Sequence, residues 1–273
     1  MSKNVDNDFF VGWTGEAPKN YTSKGKSFFF GSLILILLAG VLFVTNQKPY
    51  EKSEYEYQVI QELSGYLVQD PVWGIRIKED GMIKTIPLVG YGKKGPGFTL
   101  SKMMENHSLG EGTKVTLRGR LTHFQGKYLM ELTELKNSLV SSGDVVMLLD
   151  REISMKGIKD LEGEIVDPKC FFGVMNPATK AVHRSCAIRC ISGGMPPMLA
   201  IREDGQFVDY YFLHGKDMQS ISQSILPYVG IPVRISGQVA TYDDWKSMVI
   251  DPKELRLSFL KEKETSLALS VCY

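Results

Sequence analysis

From Phe28 to Thr45 the chain reads FFFGSLILILLAGVLFVT, 18 positions without a charged residue. At about 1.5 Å per residue a helix of that length crosses the hydrocarbon of a bilayer, and the missing polar stripe predicts a span rather than a core helix. Beyond it the pattern breaks into short alternating segments. Tyr57 to Val68 predicts a strand, a Glu-Asp-Gly turn ends at Gly81, and MIKTIPLVG predicts the next strand. FTLSKMMENHS then predicts a short amphipathic helix, followed by strands marked by Val115, Leu117 and Leu121 and by Leu129 and Leu132. The series recurs: a strand over Gly163 to Val166, a Glu-Asp-Gly turn ending at Gly205, and the strand QFVDYYFLHG. Met218, Ile221, Ile225 and Tyr228 then predict a helix over KDMQSISQSILPY, and Val233, Ile235, Val239, Met248 and Ile250 mark two last strands.

The recurrence extends to residues. LSGYLVQDPVWG (63–74) matches LEGEIVDPKCFFG (161–173), IKEDG (77–81) matches IREDG (201–205), and GTKVTLRGRLTHF (112–124) matches GIPVRISGQVATY (230–242). Similar segments in a fixed order read as a duplicated unit. Three strands, a helix and two strands, with Gly119 and Gly237 inside the fourth strand, resemble the OB fold, a small Greek-key barrel. The expected fold class is therefore mainly β, one transmembrane helix followed by two tandem OB-like barrels. The expected divisions are a tail 1–27, an anchor 28–46, a first barrel 52–137, a linker 138–160, a second barrel 161–258 and a C-terminal tail 259–273.

Between Leu-x-Gly and Glu-Asp-Gly the second unit is longer than the first by about 26 residues, counted between matched positions. Three of the four cysteines, Cys170, Cys186 and Cys190, and His183 fall in or at the edge of that insertion. Because the first unit lacks it, the insertion is an addition to a working scaffold, where function is commonly grafted. KAVHRSCAIRCI predicts a helix, stopped by SGGMPP. At about 100° per residue, His183, Cys186 and Cys190 share one face, and Cys170 at the end of the preceding strand is the natural fourth group. Three sulfurs and one imidazole suit zinc or cuprous copper, with Met175, Met195 and Met198 as further thioethers and His214 as a further imidazole.

Two other readings stand beside this one. In an oxidising compartment Cys170 joins Cys186 or Cys190 in a disulfide, with the third thiol left for Cys272 and the insertion serving as a stiffened docking surface. Alternatively, the cluster is a thiol redox centre. Asp167 reads as turn chemistry, since Asp70-Pro71 repeats it in the unit without the cluster, or as a hydrogen-bond partner for the imidazole.

A net charge of +1 and the absence of a basic cluster exclude nucleic acid as the expected partner. Lys19, Lys24 and Lys26 precede the apolar run, while Glu51, Glu54, Glu56 and Glu62 follow it. The positive-inside rule then puts the N-terminus in the cytoplasm and the remainder outside, in a bacterium the periplasm. Phe9, Phe10 and Trp13 enrich the tail in aromatics, for the membrane interface or for docking on a neighbouring membrane protein.

The pattern DPKC…HRSCAIRC…GGMPPMLAIREDG resembles a group of small bacterial exported proteins with Asp-x-x-Cys, His-x-x-Cys-Ala-x-x-Cys, Gly-x-Pro and a Glu-Asp-Gly turn before an OB-like end. That resemblance covers Gly163 to about Leu257 and implies a bacterial, exported protein with Cys170, His183, Cys186 and Cys190 at the shared positions. The layout is similar to the haem chaperone of cytochrome c maturation, but neither that family's histidine motif nor a Cys-x-x-Cys-His haem attachment is present. The ligand types are similar to those of copper proteins of cytochrome oxidase assembly. The reading that follows is an accessory protein serving a respiratory or other membrane complex, with the balance leaning away from an enzyme and the question of catalysis left open.

Overall fold

The computed structural model describes residues 19–46, 53–79, 81–105, 109–145 and 153–258. Phe9, Phe10, Trp13 and Cys272 lie outside them. The chain divides into two compact units, 1–50 and 51–273.

Among the described residues of the first unit, one helix, α1 (Lys19–Asn46), starts upstream of the expected span. Its stretch Gly25–Asn46 is long and apolar enough to cross a membrane, and none of it is buried within the protein. Near its end Thr45 donates to the Val41 carbonyl at 2.9 Å and Asn46 to that of Leu42 at 2.8 Å. These side chains supply donors where a helix leaves its last carbonyls without partners.

The second unit is mainly β. Strands β1 (Ser53–Tyr55), β2 (Gln61–Val68), β3 (Gly74–Glu79) and β4 (Met82–Val89) lead to helix α2 (Pro96–Met104), then β5 (Thr113–Phe124) and β6 (Lys127–Leu132). β2, β3 and β4 form an antiparallel meander; β5 returns beside β2, and β6 pairs β5 antiparallel and β4 parallel. That closes a five-stranded barrel. Leu67, Ile75, Leu88, Leu117 and Met130 fill it, with Leu100 and Met103 of α2 packed into the same core. Alternation in β5 puts Val115, Leu117 and Leu121 inside, and Gly119 is needed because a Cβ there would lie 2.4 Å from the Glu131 carbonyl oxygen.

β7 (Leu139–Val145) pairs β5, and β8 (Ile153–Val166) opens a second set with β9 (Met198–Glu203), β10 (Gln206–His214), β11 (Pro232–Tyr242), β12 (Trp245–Val249) and β13 (Arg256–Leu257). β8 to β12 pair in the same cyclic order, again with one parallel contact, β10 with β12. Register repeats as well. Leu63 faces Leu117 and Gly65 faces Val115; Leu161 faces Ile235 and Gly163 faces Val233.

Two expectations need correction. No α-helix forms over 216–228; Lys216–Met218 and Leu226–Tyr228 are separate 3-10 turns. Asp217 and Met218 both take positive φ, and the serines bond one another, Ser220 Oγ to Ser222 Oγ at 3.1 Å, as serines outside helices do. Ile221 and Ile225 are buried all the same. The stretch expected to be a linker, 138–160, carries β7 and the first half of β8. That half of β8 is exposed, so no alternation marked it.

An aromatic core joins the two strand sets. Phe124 from β5 meets Phe171 at 5.1 Å between ring centroids, and Phe172, Tyr210 and Trp245 continue the cluster. Trp245 donates its indole N–H to the Thr85 carbonyl at 2.8 Å, and Asp243 accepts from Arg76 at 3.1 Å and from Thr85 at 2.6 Å.

Candidate metal centre

The segment that carries the four candidate ligands begins where β8 ends. The Lys169 backbone N–H donates to Asp167 Oδ1 at 3.0 Å and that of Phe171 to the Asp167 carbonyl at 3.0 Å, so Asp167 makes the turn that its sequence context implied. One turn of π-helix follows, Cys170–Val174. Phe171 and Phe172 enter the aromatic core between the strand sets, which fixes the backbone that carries Cys170. The chain then rises into α3 (Lys180–Ser192), as its pattern predicted. Ala187 and Ile191 of α3 pack on the core formed by β8 to β13, and Cys190 packs on the aromatic core. Arg184 ties the helix down by donating to the Val229 and Pro227 carbonyls at 2.9 and 3.0 Å.

This orientation gathers Cys170, His183 and Cys186, whose ligand atoms all lie within 4.8 Å of one another. A tetrahedral zinc ion bound at about 2.3 Å to sulfur and about 2.0 Å to nitrogen sets its ligands roughly 3.5–3.8 Å apart, so a small contraction suffices. Cys190 is not in that group; it lies near enough to Cys170 to act on its thiol. Cys170, His183 and Cys190 are buried and Cys186 is half-buried. Among the described residues no disulfide forms; these three cysteines are free thiols.

The electrostatics follow from burial. The nearby Cys190 thiol, desolvation and the adjacent Asp167 carboxylate push the Cys170 thiol far up, so an incoming cation must displace its proton. Burial pushes His183 down, against the opposing pull of Asp167, and leaves the imidazole in its neutral, ligating form. Of the buried polar atoms without a hydrogen-bond partner among the described residues, two belong to this site, His183 Nε2 and Asp167 Oδ2. Buried polar atoms are nearly always satisfied, so this pair marks a place made for something else.

The first barrel also contributes. Lys93, in the loop between β4 and α2, donates to Cys186 Sγ at 3.2 Å, which holds its ammonium above the usual range. Lys169, beside Cys170, is buried and donates to the Gly90 carbonyl and to Glu131 Oε1, each at 3.1 Å, and to the Gly92 carbonyl. No spacing signal in the sequence points to either lysine, because each partner comes from the other strand set.

Of the weaker candidates, two share a packed core with Cys170 and Cys190. Met195 and Met198 are fully buried in the aromatic core, and Met175 is exposed. His214 lines a separate cavity of about 350 Å³ with Trp73, Pro197 and Asp217. No family model, no characterised protein and no solved structure matches the chain.

Proposed function

We propose that this is a membrane-anchored bacterial protein of two duplicated OB-like barrels. The second holds a thiophilic ion, zinc or cuprous copper, through Cys170, His183, Cys186 and Cys190. The observation that carries the reading is a buried set of soft ligands beside two unpartnered polar atoms, one of them on the ligand His183. Repeated register and cyclic strand order support the duplication, and the helix between β8 and β9 supports the idea of a site added to one copy. The apolar α1 supports anchoring, with the N-terminus in the cytoplasm and the barrels in the periplasm by the charge rule. The role is accessory: holding an ion for a respiratory or other membrane complex. The test is metal content of the full chain, purified under reductant in a non-chelating detergent. One ion per chain, lost in Cys186→Ser, is expected; a chain that never retains zinc, copper or iron overturns the reading.

Nearness of the Cys170 and Cys190 thiols favours one second reading, a disulfide that stiffens the insertion as a docking surface. Intact mass under non-reducing conditions separates the two, since a disulfide removes about two mass units and two alkylatable thiols.

A further inference from the structure

If the cluster binds a cation, its rim has the wrong sign for a freely diffusing one. Cys170, His183 and Cys190 are buried, and of the four groups only Cys186 reaches solvent, so an ion arrives through that sulfur. Lys93 lies on it at 3.2 Å. Arg189, exposed on α3, is close enough for its charge to act on Lys93, and neither has a carboxylate at ion-pair distance among the described residues. Asp167 is the acid that acts on the group, and it is fully buried beneath.

Lys93 is not on a loose loop. The Gly95 N–H donates to the Gly193 carbonyl at 2.8 Å, and a Cβ on Gly193 would lie 2.1 Å from the Lys93 carbonyl oxygen. Only glycine allows the loop to lie this close to the end of α3, and that contact sets the ammonium over the sulfur. Fixed charge of one sign at a port repels ions of that sign and draws in the opposite.

Building on the ion-binding reading, we infer that the centre takes its ion from an anionic complex, a metal held by carboxylate or thiolate ligands, and not as the free hydrated cation. The complex docks its negative charge on Lys93 and Arg189 while Cys186 makes the first exchange. A sulfur–metal bond forms as one bond from the metal to the donor ligand breaks. The thiol proton passes to the released ligand, and no electron changes hands. Lys93 turns its N–H from the sulfur to the departing anion.

The full chain in detergent, reduced and free of metal, is offered cobalt(II) either as the hydrated ion or as its monoanionic 1:1 nitrilotriacetate complex. Loading is followed by the sulfur-to-cobalt charge-transfer absorption. The quantity read is the ratio of the two initial rates within one protein, which cancels any loss of folded fraction. The ratio is expected to fall roughly tenfold from wild type to Lys93→Glu, with Lys93→Met between, and the spread to shrink in high salt. Equal ratios in the three proteins overturn this inference and leave ion binding intact. A chain that never develops the absorption overturns both.

Discussion

His214 and Asp167 are buried polar residues with opposite consequences. Burial pushes the His214 imidazole from 6.5 down to about 4, and its Nε2 has no partner. The unfolded chain therefore binds a proton that the folded one refuses. The stability at stake is fully present above pH 6.5 and is lost as the pH falls from there toward 4. At pH 5 the loss is about 2 kcal/mol, and His183, shifted the same way, adds to it. Urea unfolding with chelator present should show this slope between pH 7.5 and 5, and His214→Gln should remove most of it. Asp167 lies beside Cys170 with one carboxyl oxygen unpartnered. Asp167→Asn should weaken ion binding roughly ten- to a hundredfold by chelator competition. The metal-free form should melt at nearly the same temperature, because Asn keeps the oxygen that accepts from the Lys169 N–H. His183 and Cys186 were legible through helical spacing, and Cys170, which lies with them, through its place just before the helix; Cys190 shares the spacing but is not in that group. Lys93 was not legible, since its contact with Cys186 spans 93 residues of sequence.

At the level of elements, what the sequence displayed depended on burial. β5 and β11 alternate because one face of each is packed, and α3 announced itself through its stop signal and its stripe. The exposed half of β8 has no such contrast, and the spacing of Ile221 and Ile225 mimics a helix because both side chains must reach the core from successive turns. Period reports which residues are buried and only indirectly the backbone that buries them. Two neighbouring glycines make the same point in a testable form. A Cβ on Gly95 would lie 1.9 Å from the Gly194 carbonyl oxygen, whereas one on Gly97, inside α2, meets nothing within 4 Å. Gly95→Ala should lower stability by about 1–3 kcal/mol through overpacking and detach the Lys93 loop. Gly97→Ala should raise it by up to about 1 kcal/mol through helix propensity. Denaturation midpoints of the two variants, moving in opposite directions, check the claim; a harmless Gly95→Ala would mean that the loop is not seated as described.

For the whole molecule the question is what keeps the two strand sets together, since Lys93 from a loop of the first reaches Cys186 of the second. Apolar packing of Phe124, Phe171, Phe172, Tyr210 and Trp245 supplies the adhesion. Register is fixed by a buried ion pair, Lys169 with Glu131 at 3.1 Å, side chains 4% and 7% exposed, with Tyr55 also donating to Glu131. A buried pair of this kind adds little net stability against apolar replacements of similar size, because desolvation offsets its attraction, but breaking one half strands the other. Glu131→Leu should therefore cost about 3–5 kcal/mol, and adding Lys169→Met should recover most of it. The double variant keeps the aromatic contacts but loses the donors to the Gly90 and Gly92 carbonyls that hold the Lys93 loop. It should unfold at nearly the wild-type denaturant midpoint, yet its Lys93 should be acetylated faster under mild anhydride treatment, read by peptide mass. If the double variant is as unstable as Glu131→Leu alone, the pair is part of the adhesion itself, and the division of labour between aromatic packing and charge fails.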